Sequence, residues 1–122
     1  MGVSAATYSD WTSTNKGQSS STSLNTYTIT ANAGDVLTFD WLVSSESGYD
    51  YLIVTLDGTQ ILKKSGELSS TYQYTFTSSG TYSMVVKYTK DESENKGSDY
   101  AKVYNATLGT GEMTVSPWKS TI

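Results

Sequence analysis

The stretch that decides the fold is Val36-Leu37-Thr38-Phe39-Asp40-Trp41-Leu42-Val43-Ser44. Leu37, Phe39, Trp41 and Val43 fall at every second position, the period of a strand whose side chains alternate between two faces. A helix would need apolar residues at three- and four-residue intervals, and no segment of the chain offers such a stripe. Trp41 shares its row with Phe39 and Val43, so it reads as core rather than as a ring held out for a ligand.

The same period runs outward in both directions. Within 49–57, Leu52, Val54 and Leu56 take one side, and Tyr49, Tyr51, Ile53 and Thr55 the other. Asp57-Gly58 follows, the strongest hairpin signal in the chain, and leads into a strand at 60–65. Further strands are expected at 7–12, 24–31, 71–77, 81–90 and 100–108, with a weak one at 112–116. Tyr82, Met84, Val86 and Tyr88 form the expected core row of 81–90. In 100–108, Ala101 and Val103 oppose Tyr100, Lys102 and Tyr104. Ala33-Gly34-Asp35, Ser78-Ser79-Gly80 and Gly109-Thr110-Gly111 supply turns. The polar run 13–23 reads as a long surface loop, and 90–98 as a charged one. About eight antiparallel strands, each with one apolar face, imply an all-β, two-sheet sandwich. The expected domain covers 1–116, with 117–122 a tail or the start of a linker.

Composition narrows the chemistry. A chain of 122 residues holds one domain and one core. With no Cys and no His, disulfides, Ser-His-Asp triads and histidine-bound zinc are excluded. A net charge of −4 argues against nucleic acid or an anionic membrane as partner. No apolar run approaches the ~20 residues that span a bilayer, so membrane insertion is not expected. Met1-Gly2-Val3 carries neither the charged nor the apolar part of a signal peptide, and the chain reads as a trimmed piece of something longer.

Several pieces of the run 35–108 form a set: Leu37-Thr38-Phe39-Asp40-Trp41, Ser44-Ser45-Glu46, Tyr49-Asp50-Tyr51-Leu52, Leu56-Asp57-Gly58, Ser65-Gly66-Glu67, Gly80-Thr81-Tyr82, Lys87-Tyr88-Thr89-Lys90-Asp91 and Gly97-Ser98-Asp99. In these pieces and their spacing the chain resembles bacterial extracellular jelly-roll modules of the cleaved-adhesin and carbohydrate-binding-module type. The closing strand departs from the family's pattern, reading Val103-Tyr104-Asn105 where an acidic residue usually precedes Asn. Val86 stands where a core Trp is usual. The resemblance implies a jelly roll of about eight strands, an extracellular or cell-surface setting, and attachment to other domains of the same polypeptide.

Two groups of residues are candidates for a site. Glu46, Asp50, Asp91 and Asp99 lie at strand ends and loop edges, where converging carboxylates form the oxygen cage of about six to eight ligands that Ca²⁺ takes. The plainer alternative is that they solvate loops and cap turns. The resemblance favours a structural calcium, since such modules often carry one. Trp11, Tyr49, Tyr51, Tyr100, Tyr104 and Trp118 fall off the expected core rows, with Lys87 and Lys102 beside them. Flat apolar rings flanked by hydrogen-bonding groups suit the C–H faces and hydroxyls of sugars. The expected function is therefore a non-catalytic, monomeric carbohydrate-binding module that holds a polysaccharide, with starch or a plant glucan as the expected ligand. The alternative is an adhesin or structural module that binds host protein or spaces domains. Catalysis is not expected, because a small sandwich offers a shallow face rather than a cleft that desolvates an acid.

Overall fold

The computed structural model describes residues 6–91 and 98–110. Among them lie nine strands: β1 (Ala6–Thr7), β2 (Trp11–Thr12), β3 (Thr22–Ala31), β4 (Val36–Ser44), β5 (Tyr51–Leu56), β6 (Thr59–Lys64), β7 (Glu67–Thr75), β8 (Gly80–Thr89) and β9 (Tyr100–Gly109). One sheet runs β1-β9-β4-β7, with β2 also on β9, and the other runs β3-β8-β5-β6. The antiparallel pairs β5–β6, β4–β7, β3–β8 and β1/β2–β9 nest inside one another. The chain is thus one long hairpin rolled into two layers, the jelly-roll form of a β-sandwich.

Asp57-Gly58 is the tip of that hairpin. Both residues take positive φ, 48° and 84°, as a two-residue turn with the twist of its flanking strands requires. The Asp57 carboxylate fixes the tip by accepting the Ser83 N–H at 2.8 Å. Alternation then carries one row of each central strand inward. Leu37, Phe39, Leu52, Val54, Met84, Val86 and Val103 are fully buried, each side chain contributing about 1.5–3 kcal/mol by leaving water. Trp41 is buried in the same row, as expected.

The ends of strands depart most from the sequence pattern. The expected strand at 7–12 is two short strands, because β9 bulges opposite the gap. Pairing between β4 and β9 slips between Thr38 and Asp40, and Asn105 takes φ 54°. Asp10 fills the gap with its side chain, accepting the Asn105 N–H at 3.1 Å. β7 starts at Glu67, four residues before the expected 71, since Glu67 and Leu68 extend the ladder opposite Ser44 and Val43. It is an edge strand whose first residues are exposed, so no burial pattern marks it. The expected strand at 112–116 lies outside the described residues. The expected loop at 13–23 ends where β3 begins at Thr22, and it is anchored rather than loose: Asn15 Nδ2 donates to the Tyr88 carbonyl at 3.1 Å, and Ser13 Oγ accepts the Ala101 N–H at 3.0 Å. Its polar side chains stand in for missing strand neighbours.

Candidate functional site

Tyr100, Lys102 and Tyr104 project from the outer face of the five-stranded sheet, because Ala101 and Val103 between them are buried. The ladder sets a partner from each of two strands beside them. Tyr100 stands by Ser44 and Glu67, Lys102 by Leu42 and Ser69, and Tyr104 by Asp40 and Thr71. These three rows form a grid of aromatic, apolar, hydroxyl and carboxylate groups. Tyr100 and Tyr104 sit four residues apart on one strand, which spaces their Cα atoms by about 13 Å.

The polar groups of the grid are held in place. Asp40 accepts from Thr71 Oγ1 at 2.6 Å and from Asn105 Nδ2 at 3.0 Å. Those two hydrogen bonds lower its pKa below the ordinary carboxylate value. The bulge aims Asn105 at Asp40, while Lys102 Nζ lies 4.8 Å from the centre of the Tyr104 ring. At the other end of the grid, Ser44 Oγ donates to the Glu67 carboxylate at 2.8 Å and accepts the Ser98 N–H at 2.7 Å. A shallow concavity of about 300 Å³ lies here, lined by Leu42, Ser44, Glu67, Ser69 and Tyr100 among others.

The aromatic residues named from the sequence do not form one surface. Tyr51 and Lys87 lie on the outer face of the four-stranded sheet, on the far side of the sandwich from Tyr100 and Tyr104. Tyr49 is exposed in the turn between β4 and β5. Trp11 needs correcting: it is buried, because β2 pairs it with Val103 and both side chains enter the core. Trp118 lies outside the described residues. Nothing local in the sequence marks Asp40, Leu42, Glu67, Ser69 or Thr71 as a site residue. Only the β4–β7 and β4–β9 registers bring them beside the tyrosines.

Three of the four acidic residues converge. Carboxylate oxygens of Glu46, Asp50 and Asp91 all lie within 4.8 Å of one another. Asp50 is buried, and its Oδ1 accepts the Asp91 N–H at 3.1 Å. Its Oδ2 makes no hydrogen bond among the described residues and sits 3.6 Å from Lys90 Nζ. Burial raises the Asp50 pKa and outweighs the opposing pull of the Asp91 N–H and Lys90. Asp99 is diverted elsewhere. It accepts from Lys90 Nζ, from the Tyr88 hydroxyl at 2.9 Å and from the Gly17 N–H at 2.6 Å. Burial works against its charge, but those three donors prevail and its pKa is lowered. Tyr88, buried and bonded to that carboxylate, has its own pKa raised.

No protein-family model and no curated protein matches the chain. Among solved structures it is similar to an exo-β-1,3-galactanase from Phanerochaete chrysosporium crystallised with β-1,3-galactotriose. The identity is 13%, over 84% of this chain and 26% of that one, with a TM-score of 0.34. The chain thus spans about a quarter of that protein's length, and a likeness this slight carries no argument about function.

Proposed function

We propose that the chain is a non-catalytic polysaccharide-binding module whose ligand lies along the outer face of the five-stranded sheet. The observation that supports this is the Tyr100–Lys102–Tyr104 row with Ser44, Leu42 and Asp40 in register beside it. Two rings about 13 Å apart suit a polymer of several sugar units. The fixed carboxylates of Asp40 and Glu67 and the hydroxyls of Ser69 and Thr71 supply acceptors and donors for sugar hydroxyls. A neutral glucan, starch or a plant glucan, is the ligand class. The surroundings we infer are extracellular, on a monomeric domain within a longer bacterial polypeptide. There the module would raise the effective concentration of its neighbours at the glycan. Affinity electrophoresis against soluble starch and mixed-linkage β-glucan tests this. The wild type should be retarded, and Tyr100→Ala with Tyr104→Ala should run freely while melting as the wild type does. If no glycan retards the wild type, the adhesin or structural reading replaces this one.

A structural calcium ion belongs to the same reading. Glu46, Asp50 and Asp91 would hold it, and the convergence of their carboxylate oxygens within 4.8 Å of one another is what favours a cation there. Asp99 is not part of this set, because its carboxylate oxygens are turned to Lys90, the Tyr88 hydroxyl and the Gly17 N–H. Calcium should raise the melting temperature and EDTA should lower it. Equal melting in both would remove the ion from the account.

A further inference from the structure

The strands of the four-stranded sheet carry Lys63, Lys64 and Lys87 and not one Asp or Glu. That is notable in a chain of net charge −4. Two of these lysines share the outer face. The registers place Leu24, Lys87, Ile53 and Lys63 in a single row across all four strands. Lys63 Nζ lies 4.4 Å from the centre of the Tyr51 ring, one row away. Among the described residues, neither Lys63 nor Lys87 is ion-paired with a carboxylate.

We propose that this face is a second binding surface, and that its ligand is an acidic polysaccharide bearing carboxylate or sulfate groups. Lys87 and Lys63 stand two strands apart, about 10 Å between backbones, a spacing that meets anionic groups recurring along a polymer. Ile53 between them, Leu24 beside them and the Tyr51 ring offer apolar area to sugar C–H groups. Leu24 is 57% exposed. Thr22 and Thr89 in the Tyr51 row, and Thr26 and Thr55 in the next, add outward hydroxyls to meet those of the ligand.

Other anionic partners fit less well. Membrane-binding segments gather clusters of about four to eight basic residues, more than this face holds. A protein partner needs a contiguous apolar centre, whereas Leu24, Ile53 and Val85 are interleaved with Lys87, Lys63, Thr26 and Thr55. The face is distinct from the Tyr100–Tyr104 face, so the two readings stand or fall separately.

Affinity electrophoresis in gels containing polygalacturonate or dextran sulfate tests the proposal. The wild type should be retarded at low salt and released at high salt, since exposed charges are screened. Lys63→Gln with Lys87→Gln should weaken retention by about tenfold, and Lys63→Arg with Lys87→Arg should restore it. Tyr100→Ala with Tyr104→Ala should leave it intact. Circular dichroism melts of each variant show that the fold survives, and if the Gln pair unfolds, Lys87→Glu alone, which changes the charge by the same amount, should still weaken retention by about tenfold. The proposal is overturned if neither acidic glycan retards the wild type. It is also overturned if the Gln pair is retained like the wild type, or if the protein sediments with phosphatidylserine vesicles while ignoring both glycans.

Discussion

The two outer faces of the sandwich share a core and differ in chemistry. On the five-stranded sheet, Tyr100, Lys102 and Tyr104 stand among Asp40, Glu67, Ser44 and Thr71, so rings, acceptors and donors are interleaved. On the four-stranded sheet, Lys63 and Lys87 flank Ile53 with no strand carboxylate nearby. The strands' inward rows are interchangeable in character, because both must exclude water. Nothing in folding dictates the outward rows, and there the two sheets part. The comparison teaches that a jelly roll has two independent surfaces on which binding can be written.

The largest expected effect weakens the frame that both faces share. Asp99 precedes β9 and binds Lys90 and Tyr88 at the end of β8, tying the two sheets together. Asp99→Asn should cost about 3 kcal/mol, since it leaves the buried Lys90 charge with the more distant Asp50. Urea denaturation would show the lowered midpoint, and both faces should lose binding together at that urea concentration. Separating the faces comes next. Tyr100→Ala should weaken glucan binding by about 0.5–1.5 kcal/mol, as the loss of one stacked ring does, and Tyr51→Ala should leave it unchanged in calorimetric titrations.

A smaller effect appears in the pH dependence of stability, where Asp50 and Asp99 act with opposite signs. Asp99 has a lowered folded pKa. Its contribution is present above the unfolded value near 3.9 and is lost as pH falls through the folded one. Asp50 has a raised folded pKa. It costs stability as pH rises from about 3.9 through that higher value, so acidification relieves it before Asp99 begins to fail. Melting temperature followed in EDTA, so that no calcium is bound at Asp50, should rise slightly from pH 7 downward and then drop towards pH 3. Asp50→Asn should flatten the rise, and Asp99→Asn the drop. The smallest effect is that of Asp40→Asn, which keeps the shape of the exposed Thr71–Asp40–Asn105 network. It should change glucan affinity a little and urea stability not measurably.

The inward half of the molecule was legible in the sequence. Leu37-Phe39-Trp41-Val43 and Met84-Val86-Tyr88 alternate because burial leaves no choice, and Asp57-Gly58 announces its turn because positive φ selects such residues. Of the outward half, the residue types could be read but not their neighbours. Tyr49 with Tyr51 and Tyr100 with Tyr104 look alike on paper, yet the topology sends the second pair and Tyr51 to opposite faces. Trp11 looked free because a two-residue strand has too few positions to show alternation. Asp99 looked like a metal ligand because nothing local reveals that Lys90 folds back onto it. Glu67 was missed because an exposed edge strand carries no burial signal.

Amide shift mapping is the most direct test of the glycan-binding account. A ¹⁵N-labelled sample would be titrated with maltohexaose and with a mixed-linkage glucan oligosaccharide. The account predicts that at least one shifts amides clustered on β9, β4 and β7 around Tyr100, Lys102, Tyr104, Leu42 and Thr71, leaving β3, β5 and β8 still. Shifts confined to the four-stranded sheet, or none with either oligosaccharide, would contradict it.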